Sequence, residues 1–584
     1  MYNTPKTSRI SIFWISCLFL LLLTSIFHLQ IFKGDEYAAI SEKNFVRLKT
    51  ILPMRGEIFD RRYRPIALNK PSFSLYIIPG QIKDRKKVSK FIDDYFRSSQ
   101  VEIDEIISNS KFRMFQEILL IQNIPYEKVV FLSEHINDFP SLTCKSESIR
   151  NYIYNNHFVG YVGRISEDEY ENLKKTGYSI NSIIGKTGLE KFYESLLVGK
   201  SGYDILQVDS SGRNLQFFKH NLHKDPVDGA DIILTIDNEL QNFINTILPE
   251  DKNCAVVVCD TRTGGILAYV SKPEFDPNLF AAGLSMEEWN NLINDPRNPM
   301  LDRIIHGTYP PGSTYKPIVA TLGLEDSLIT PTEKLSECTG GLQIGDRFFK
   351  CWHEEGHGRL EIINAIKYSC DVFFYDLSTR IELDRMKEFT CQNRLTVKTG
   401  IDLIGERDGF FPDLKWYKES FGKYAGIIGP KVNLAIGQGE ILCTPLQLCC
   451  YFAAIANDGL WKQPHLMNRT IEETCSKEFI PWEENLPVSE KNIKLLQNAL
   501  LKAVNERYGT GSAARLNNIT IYGKTGSAEN HMGEETHAWF AGYAVWEEPE
   551  IAFTVFLENA GHGGSVAAPL ASRIVFFYDK MKRK

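Results

Sequence analysis

A serine hydroxyl is a weak nucleophile at neutral pH unless a base stands beside it, and lysine can be that base once burial or a neighbouring cation lowers its proton affinity. In Pro310-Pro311-Gly312-Ser313-Thr314-Tyr315-Lys316-Pro317, Ser313 and Lys316 have Ser-x-x-Lys spacing. On a helix this spacing puts both side chains on one face, about 5–6 Å apart at Cβ, within reach of each other. The pattern recurs at Ser108/Lys111 and Ser420/Lys423, as chance allows. Only Ser313 follows Pro-Pro-Gly, a turn that can start a helix and set the serine where orphan backbone N–H groups point outward.

Lys-Thr-Gly occurs at 186–188, 398–400 and 524–526. The last copy, Lys524-Thr525-Gly526-Ser527, follows Ile519-Thr520-Ile521-Tyr522-Gly523 and reads as a strand near a sheet edge, where glycine admits a ligand backbone. The other two read as turns. Strand alternation sends Lys524 and Thr525 to opposite faces, so joint service requires an edge position. Ser369-Cys370-Asp371 lies between the serine motif and the last Lys-Thr-Gly.

Ser-x-x-Lys, a Ser-x-Asn type triplet and Lys-Thr-Gly in this order are the motif set of penicillin-binding proteins, and the chain resembles that family's transpeptidase domain. Arg55-Gly56-Glu57-Ile58-Phe59-Asp60-Arg61 and Gly185 to Glu190 through Gly199-Lys200-Ser201-Gly202 resemble stem motifs of class B members. Leu234-Thr235-Ile236-Asp237, Gly437-Gln438-Gly439, Thr444-Pro445-Leu446-Gln447 and Ala456-Asn457-Asp458-Gly459 are similar to framework segments. Aspartate in Ser369-Cys370-Asp371 and the upstream Gly356-His357-Gly358-Arg359 resemble the elongation-specific penicillin-binding protein 2 group.

The resemblance implies acyl transfer. Ser313 attacks the D-alanyl-D-alanine carbonyl of a peptidoglycan stem peptide, Lys316 takes its proton, and a neighbouring strand's amine resolves the acyl-enzyme. Ser369 and Asp371 relay protons and orient Lys316. Lys524 and Thr525 bind the substrate carboxylate and help keep Lys316 neutral, Gly526 admits the substrate, and Ser313 and Ser527 N–H groups form the oxyanion hole. The resemblance further implies covalent inhibition by β-lactams, no cofactor required for the chemistry, and pairing with a SEDS-type glycan polymerase and elongation-complex membrane proteins. The rival readings are a membrane-tethered β-lactam-hydrolysing or sensing protein, which the stem and the lack of signalling sequence disfavour, and a silent scaffold activating a polymerase, which the intact motifs disfavour.

Cys338, Cys351, His357 and Cys370 fall close together in the chain beside the catalytic triplet. Three thiolates and an imidazole are a closed tetrahedral zinc set. The alternatives are a Cys338–Cys351 disulfide and a buried Cys370. Some elongation-specific relatives bind zinc here through carboxylates with Cys and His, so the resemblance implies a structural zinc. With Ser369 and Asp371 facing the cleft, Cys370 faces away and a metal braces the loop from behind. His353 is the reserve ligand, while Cys254, Cys259, Cys391, Cys443, Cys449 and Cys450 sit in apolar contexts and read as core.

The elements that must hold these groups follow from patterning. Ala255–Cys259 and Ile266–Val270 flank a turn, as do Trp539–Val545 and Ile551–Leu557, and helical periodicity such as Ile362, Ile363, Ile366, Phe373, Phe374 and Leu377 lies between. This predicts an α/β (α+β) penicillin-binding transpeptidase fold over 231–584, a mixed antiparallel sheet with helices on both faces. Phe45–Pro79 reads as short strands opening an elongated β-rich stem over 33–230. An inserted lobe at 83–156 reads as helical, with Phe91, Tyr95, Phe96, Ile103, Ile106 and Ile107 as apolar positions. From Ile10 to Phe32 the chain is apolar and uncharged, enough for a membrane span of about 20 residues and longer than a signal-peptide core. Lys6 and Arg9 before it place the 1–9 tail in the cytoplasm, 10–32 in the cell inner membrane as a single-pass anchor, and the bulk outside in the periplasm.

With 584 residues the length prior is about four domains. Hydrophobic residues at 43% and charged residues at 24% exclude disorder, and 66 basic against 73 acidic residues disfavour nucleic acid.

Overall fold

A computed structural model describes residues 6–35, 46–96, 117–179, 182–208, 214–215, 223–422, 427–471, 476–529 and 535–583. Helix α1 (Lys6–Phe27) continues as a π turn, His28–Phe32. Ile12–Phe32 is long and apolar enough to cross a membrane, and none of its most apolar stretch is buried in the protein.

The stem holds β1 (Val46–Ile51), β2 (Ile58–Phe59), β3 (Pro65–Ile77), α2 (Arg85–Phe96), β4 (Ile118–Ile121), α3 (Tyr126–His135) and β5 (Leu142–Tyr152). It continues with α4 (Gly188–Phe192), β6 (Gly202–Val208) and β7 (Asn214–Leu215). The expected short strands give way to one long strand, β3, paired antiparallel with β5 along its length. The lobe is likewise not simply helical. Helices α2 and α3 alternate along the chain with strands β4 and β5, and a small core of Leu75 and Ile77 from β3 with Val88, Phe91, Ile92 and Leu132 packs them together. Polar and charged residues such as Lys145, Glu147 and Asn151 along a half-exposed strand imitate a charged helix, and the strand's partner is distant in sequence. Ile103, Ile106 and Ile107 lie outside the described residues.

A buried charge network ties the stem motifs together. Arg55 Nε donates to Glu190 at 2.6 Å and its Nη2 to Glu194 at 2.7 Å, while Arg150 Nε donates to the other Glu190 oxygen at 2.7 Å. Burial alone would raise the Glu190 pKa, but Arg150 and Arg55 hold it below the usual carboxylate range.

Further along the chain lie β8 (Asp231–Leu234), α5 (Asn238–Ile247), β9 (Cys254–Asp260) and β10 (Ile266–Lys272). Next come α6 (Lys316–Glu325), β11 (Gly341–Ile344), β12 (Arg347–Lys350), α7 (Asp371–Arg380), α8 (Pro445–Ala456), β13 (Met467–Ile471) and β14 (Ser476–Glu478). The chain ends through α9 (Glu490–Asn505), β15 (Thr520–Ala528), β16 (His537–Val545), β17 (Pro549–Leu557) and α10 (Ala567–Lys582).

The main sheet has the order β10-β9-β17-β16-β15 and is antiparallel throughout. Both faces are covered, so its strands read as unbroken apolar runs. Alternation still divides them: Cys254, Val256 and Val258 join one core with Ile574 and Val575 of α10, whereas Ala255, Val257 and Cys259 join the other with Leu448 and Cys449 of α8. Parallel pairing occurs elsewhere, between β2 and β8, so a second sheet joins stem strands to β8, β13 and β14.

Candidate active site and an adjoining thiol–imidazole cluster

Ser313 is half-buried in a 3-10 turn, Gly312–Tyr315, which runs directly into α6 at Lys316. In a 3-10 turn residues three apart eclipse, so the turn stacks Ser313 over Lys316. Gly312 has φ +54°, and a Cβ there would meet Ser527 O at 2.9 Å. Its N–H donates to Gly437 O at 2.9 Å, and a Cβ on Gly437, itself at φ +75°, would stand 2.1 Å from Gly312 O. The framework segment Gly437-Gln438-Gly439 is thus a wall of the serine turn, and Gln438 Nε2 donates to Ser527 O at 3.1 Å.

Lys316 is fully buried. Its Nζ donates to Asp371 Oδ1 at 2.6 Å, Ser369 O at 2.8 Å and Ser369 Oγ at 3.1 Å. Ser369 adopts φ +55°, a left-handed conformation that a non-glycine residue holds only under restraint, and Asp371 opens α7. Burial pushes the Asp371 carboxyl up, against the pull of Lys316. Lys524 comes from the edge strand β15 and lies on the same sheet face as its cross-strand partner Ala541. Its Nζ donates to Ser369 Oγ at 2.9 Å and to Thr525 O at 3.0 Å. Burial first, and then the charge of Lys316, push Lys524 well below the ordinary lysine value. One hydroxyl, Ser369 Oγ, therefore bridges two buried amines.

Thr525 and Ser527 turn to the other side of the edge strand. Ser527 Oγ accepts from Gly563 N at 3.3 Å and lies 3.4 Å from His562 Nδ1. Gly526 passes against the serine turn, where a Cβ would meet Pro311 O at 2.9 Å. The other Lys-Thr-Gly copies lie elsewhere. Lys186 pairs with Glu169, and Thr399 Oγ1 donates to Glu406 at 2.5 Å. Of the other Ser-x-x-Lys pairs, Ser108, Lys111 and Lys423 lie outside the described residues. Trp539 is core, its indole donating to Pro310 O at 3.1 Å, and Phe540 and Tyr543 are buried.

Behind Ser369, the donor atoms of Cys338, Cys351, His357 and Cys370 all lie within 4.8 Å of one another. Cys338 Sγ and Cys351 Sγ are each 3.6 Å from His357 Nδ1. The hairpin β11–β12 delivers Cys351, and mutual 3.0 Å backbone hydrogen bonds between Cys338 and Gly358 fix the loop that carries His357. The three cysteines are free thiols, so the disulfide alternative is not formed. Cys370, donating to Cys351, pulls that thiol down toward thiolate against its burial, and His357 adds to the pull. The His353 ring, 5.0 Å from that of His357, stands outside the donor set.

Sequence reasoning missed Trp352. Its backbone N–H donates to Asp371 Oδ2 at 3.1 Å, and its indole N–H to Ser369 O and Tyr368 O, each at 3.1 Å. Adjacency to Cys351 was the one available signal.

The family described as penicillin binding protein transpeptidase domain matches residues 254–575, and the penicillin-binding protein dimerisation domain matches 50–234. The chain belongs to the class B penicillin-binding transpeptidases. It is 33% identical to the peptidoglycan D,D-transpeptidase MrdA of Acinetobacter baumannii, covering 98% of this chain and 86% of that protein. The MrdA of Escherichia coli is 32% identical over 93% of this chain and 89% of its own length. Among solved structures, the penicillin-binding protein PBP2 of Helicobacter pylori, in complex with MreC, superposes with TM-score 0.80 at 27% identity, over 91% of this chain and 99% of that one. As a penicillin-binding transpeptidase the chain needs no cofactor for its chemistry.

Proposed function

We propose that this chain cross-links peptidoglycan stem peptides by serine-type D,D-transpeptidation during side-wall elongation. The observation that carries the reading is the buried line Lys316–Ser369–Lys524 beside the Ser313 turn. Ser313 Oγ attacks the carbonyl of the penultimate D-alanine and Lys316 takes the hydroxyl proton. The C–N bond breaks, D-alanine leaves with a proton, and an ester remains on Ser313. The acceptor strand's amine then attacks that ester, a new amide forms, and Ser313 regains its proton.

Lys316 must be neutral to act. Ser369 Oγ can accept a proton from Lys316 and pass one to Lys524, whose charge the substrate's terminal carboxylate, with Thr525, would then stabilise. Substrate binding itself thereby frees the base. Gly526 admits the substrate, and Ser313 and Ser527 N–H groups stabilise the oxyanion. A β-lactam presents the same kind of carbonyl and would acylate Ser313.

Labelling with a fluorescent penicillin tests this. The wild type takes up stable label and Ser313→Ala takes up none. Label persisting on Ser313→Ala overturns the assignment, rapid release from the wild type favours a lactamase, and no label on the wild type favours a scaffold.

The Cys338, Cys351, His357 and Cys370 set would hold a structural zinc. Zn–S near 2.3 Å and Zn–N near 2.05 Å put tetrahedral ligand atoms roughly 3.5–3.8 Å apart. The two 3.6 Å sulfur–nitrogen separations support that fit. Four protein donors leave no open position, so the metal would supply rigidity and no chemistry. Elemental analysis should find one zinc per chain, lost in Cys351→Ser; absence of stoichiometric zinc overturns this.

The N-terminal helix is read as a single-pass inner-membrane anchor with its N-terminus cytoplasmic, on the support of Lys6 and Arg9 preceding the span. Stem and catalytic domain are divided at 230/231. Elongation-complex membrane proteins and a SEDS-type polymerase are the partners inferred, supported by the MreC complex of the Helicobacter pylori relative and by similarity to a structure of a peptidoglycan synthase complex.

A further inference from the structure

Two acceptors outside the hydroxyl relay fix the amine of Lys316: Ser369 O and the Asp371 carboxylate. Each has a second hydrogen bond, and both second bonds come from Trp352. The indole N–H takes Ser369 O at 3.1 Å, sharing its proton with Tyr368 O, while the backbone N–H takes Asp371 Oδ2 at 3.1 Å. Ser369 sits at φ +55°, so its carbonyl direction depends on what restrains the loop. One restraint is Cys370, held in the thiol–imidazole cluster. The other is Trp352, which follows Cys351 of that cluster directly and lies beside the His357 ring at 5.4 Å. Trp352 is 57% exposed, an unusual setting for an indole whose N–H donates to two carbonyls of one strained turn.

We infer that Trp352 is a positioning residue for the general base: its indole N–H fixes the Ser369 carbonyl that aims Lys316, and it couples the cluster to the reaction. The inference rests on the acyl-transfer reading above. Its hydrogen bonds go to the groups that hold Lys316 and not to the amine itself. It acts on the rate of the chemical step and not on recognition of the ligand.

The test is Trp352→Phe in the full-length protein, with noncovalent penicillin affinity and the acylation rate constant measured separately. Acylation should slow five- to twentyfold, with affinity within twofold of wild type and melting temperature and metal content unchanged. Replacing Trp352 by benzothienylalanine, which keeps the bicyclic shape and lacks the N–H, should reproduce the defect. Acylation at the wild-type rate in either variant overturns the inference, as does a loss confined to affinity or matched by a fall in melting temperature. A wild type that is not acylated at all overturns the acyl-transfer reading and this inference with it, whereas a normal wild type with an unaffected Trp352→Phe overturns this inference alone.

Discussion

Replacing Lys524 by methionine should remove a pH dependence of stability that the wild type carries. In the unfolded chain a lysine keeps its proton up to about pH 10.4, whereas folded Lys524, buried and facing the Lys316 charge, releases it well below the ordinary value. Between those two values the unfolded state binds one more proton than the folded state. Stability therefore rises with pH, by about 1.4 kcal/mol per unit. It is lost again as pH falls toward the folded value, because the folded state must then accept a charge in an apolar setting. From pH 8 to pH 10 the gain is at most roughly 2.5 kcal/mol, tapering as the unfolded lysine begins to titrate. With an unfolding entropy of about 2.1 cal/mol/K per residue over 584 residues, that is roughly 2 °C in melting temperature. Every other group titrates in both proteins, so the wild-type minus Lys524→Met difference isolates this site. Thermal unfolding of both across that range, in the same detergent, is the assay. A difference that stays level with pH refutes a neutral buried Lys524. Methionine also relieves the desolvation of an amine, so the variant should be as stable as wild type near neutrality while losing penicillin acylation.

Two further perturbations probe the frame. Gly437→Ala forces a Cβ to within 2.1 Å of Gly312 O at φ +75°, so penicillin acylation should fall at least tenfold and stability by about 1–3 kcal/mol; a normal acylation rate would show that the serine turn does not lean on this wall. Glu190→Gln leaves Arg55 and Arg150 without their shared carboxylate at a fully buried site, which should cost about 3–5 kcal/mol in stem unfolding followed by hydrogen exchange, with Ser313 acylation intact at low temperature; unchanged protection of β5 would refute it.

What the sequence disclosed depended on how local the information was. Ser313 and Lys316 share one turn, and Ser369, Cys370 and Asp371 alternate around one bend, so their placement follows from spacing. The thiol–imidazole set was legible for the same reason, since alternation at Cys370 sends its sulfur away from the cleft. The lobe was not. Strand β5 pairs with β3, a segment far upstream, and its half-buried Lys145 and Glu147 mask the period of two. Gly437 carried no visible role because its contact, Gly312 O, is also remote in the chain. The resemblance implies that Lys524 is a carboxylate ligand that helps keep Lys316 neutral. Spacing gives no burial, and it is burial, with the Lys316 charge, that makes Lys524 give up its proton more readily than an ordinary lysine.

That inversion changes how the site must be set in motion. Were Lys316 neutral before substrate arrives, Asp371 at 2.6 Å would be a buried carboxylate with no cation to offset it, a costly arrangement. With Lys316 charged, that pair is satisfied and Lys524 has reason to be neutral, but the nucleophile then lacks its base. Moving one proton across Ser369 Oγ resolves the conflict only if a negative charge arrives beside Lys524. A terminal carboxylate supplies it, and so does a penicillin. A penicillin ester, carrying no such charge, should therefore acylate Ser313 far more slowly than the free acid even when it binds, and comparable acylation rates for the two would rule out triggering by the carboxylate.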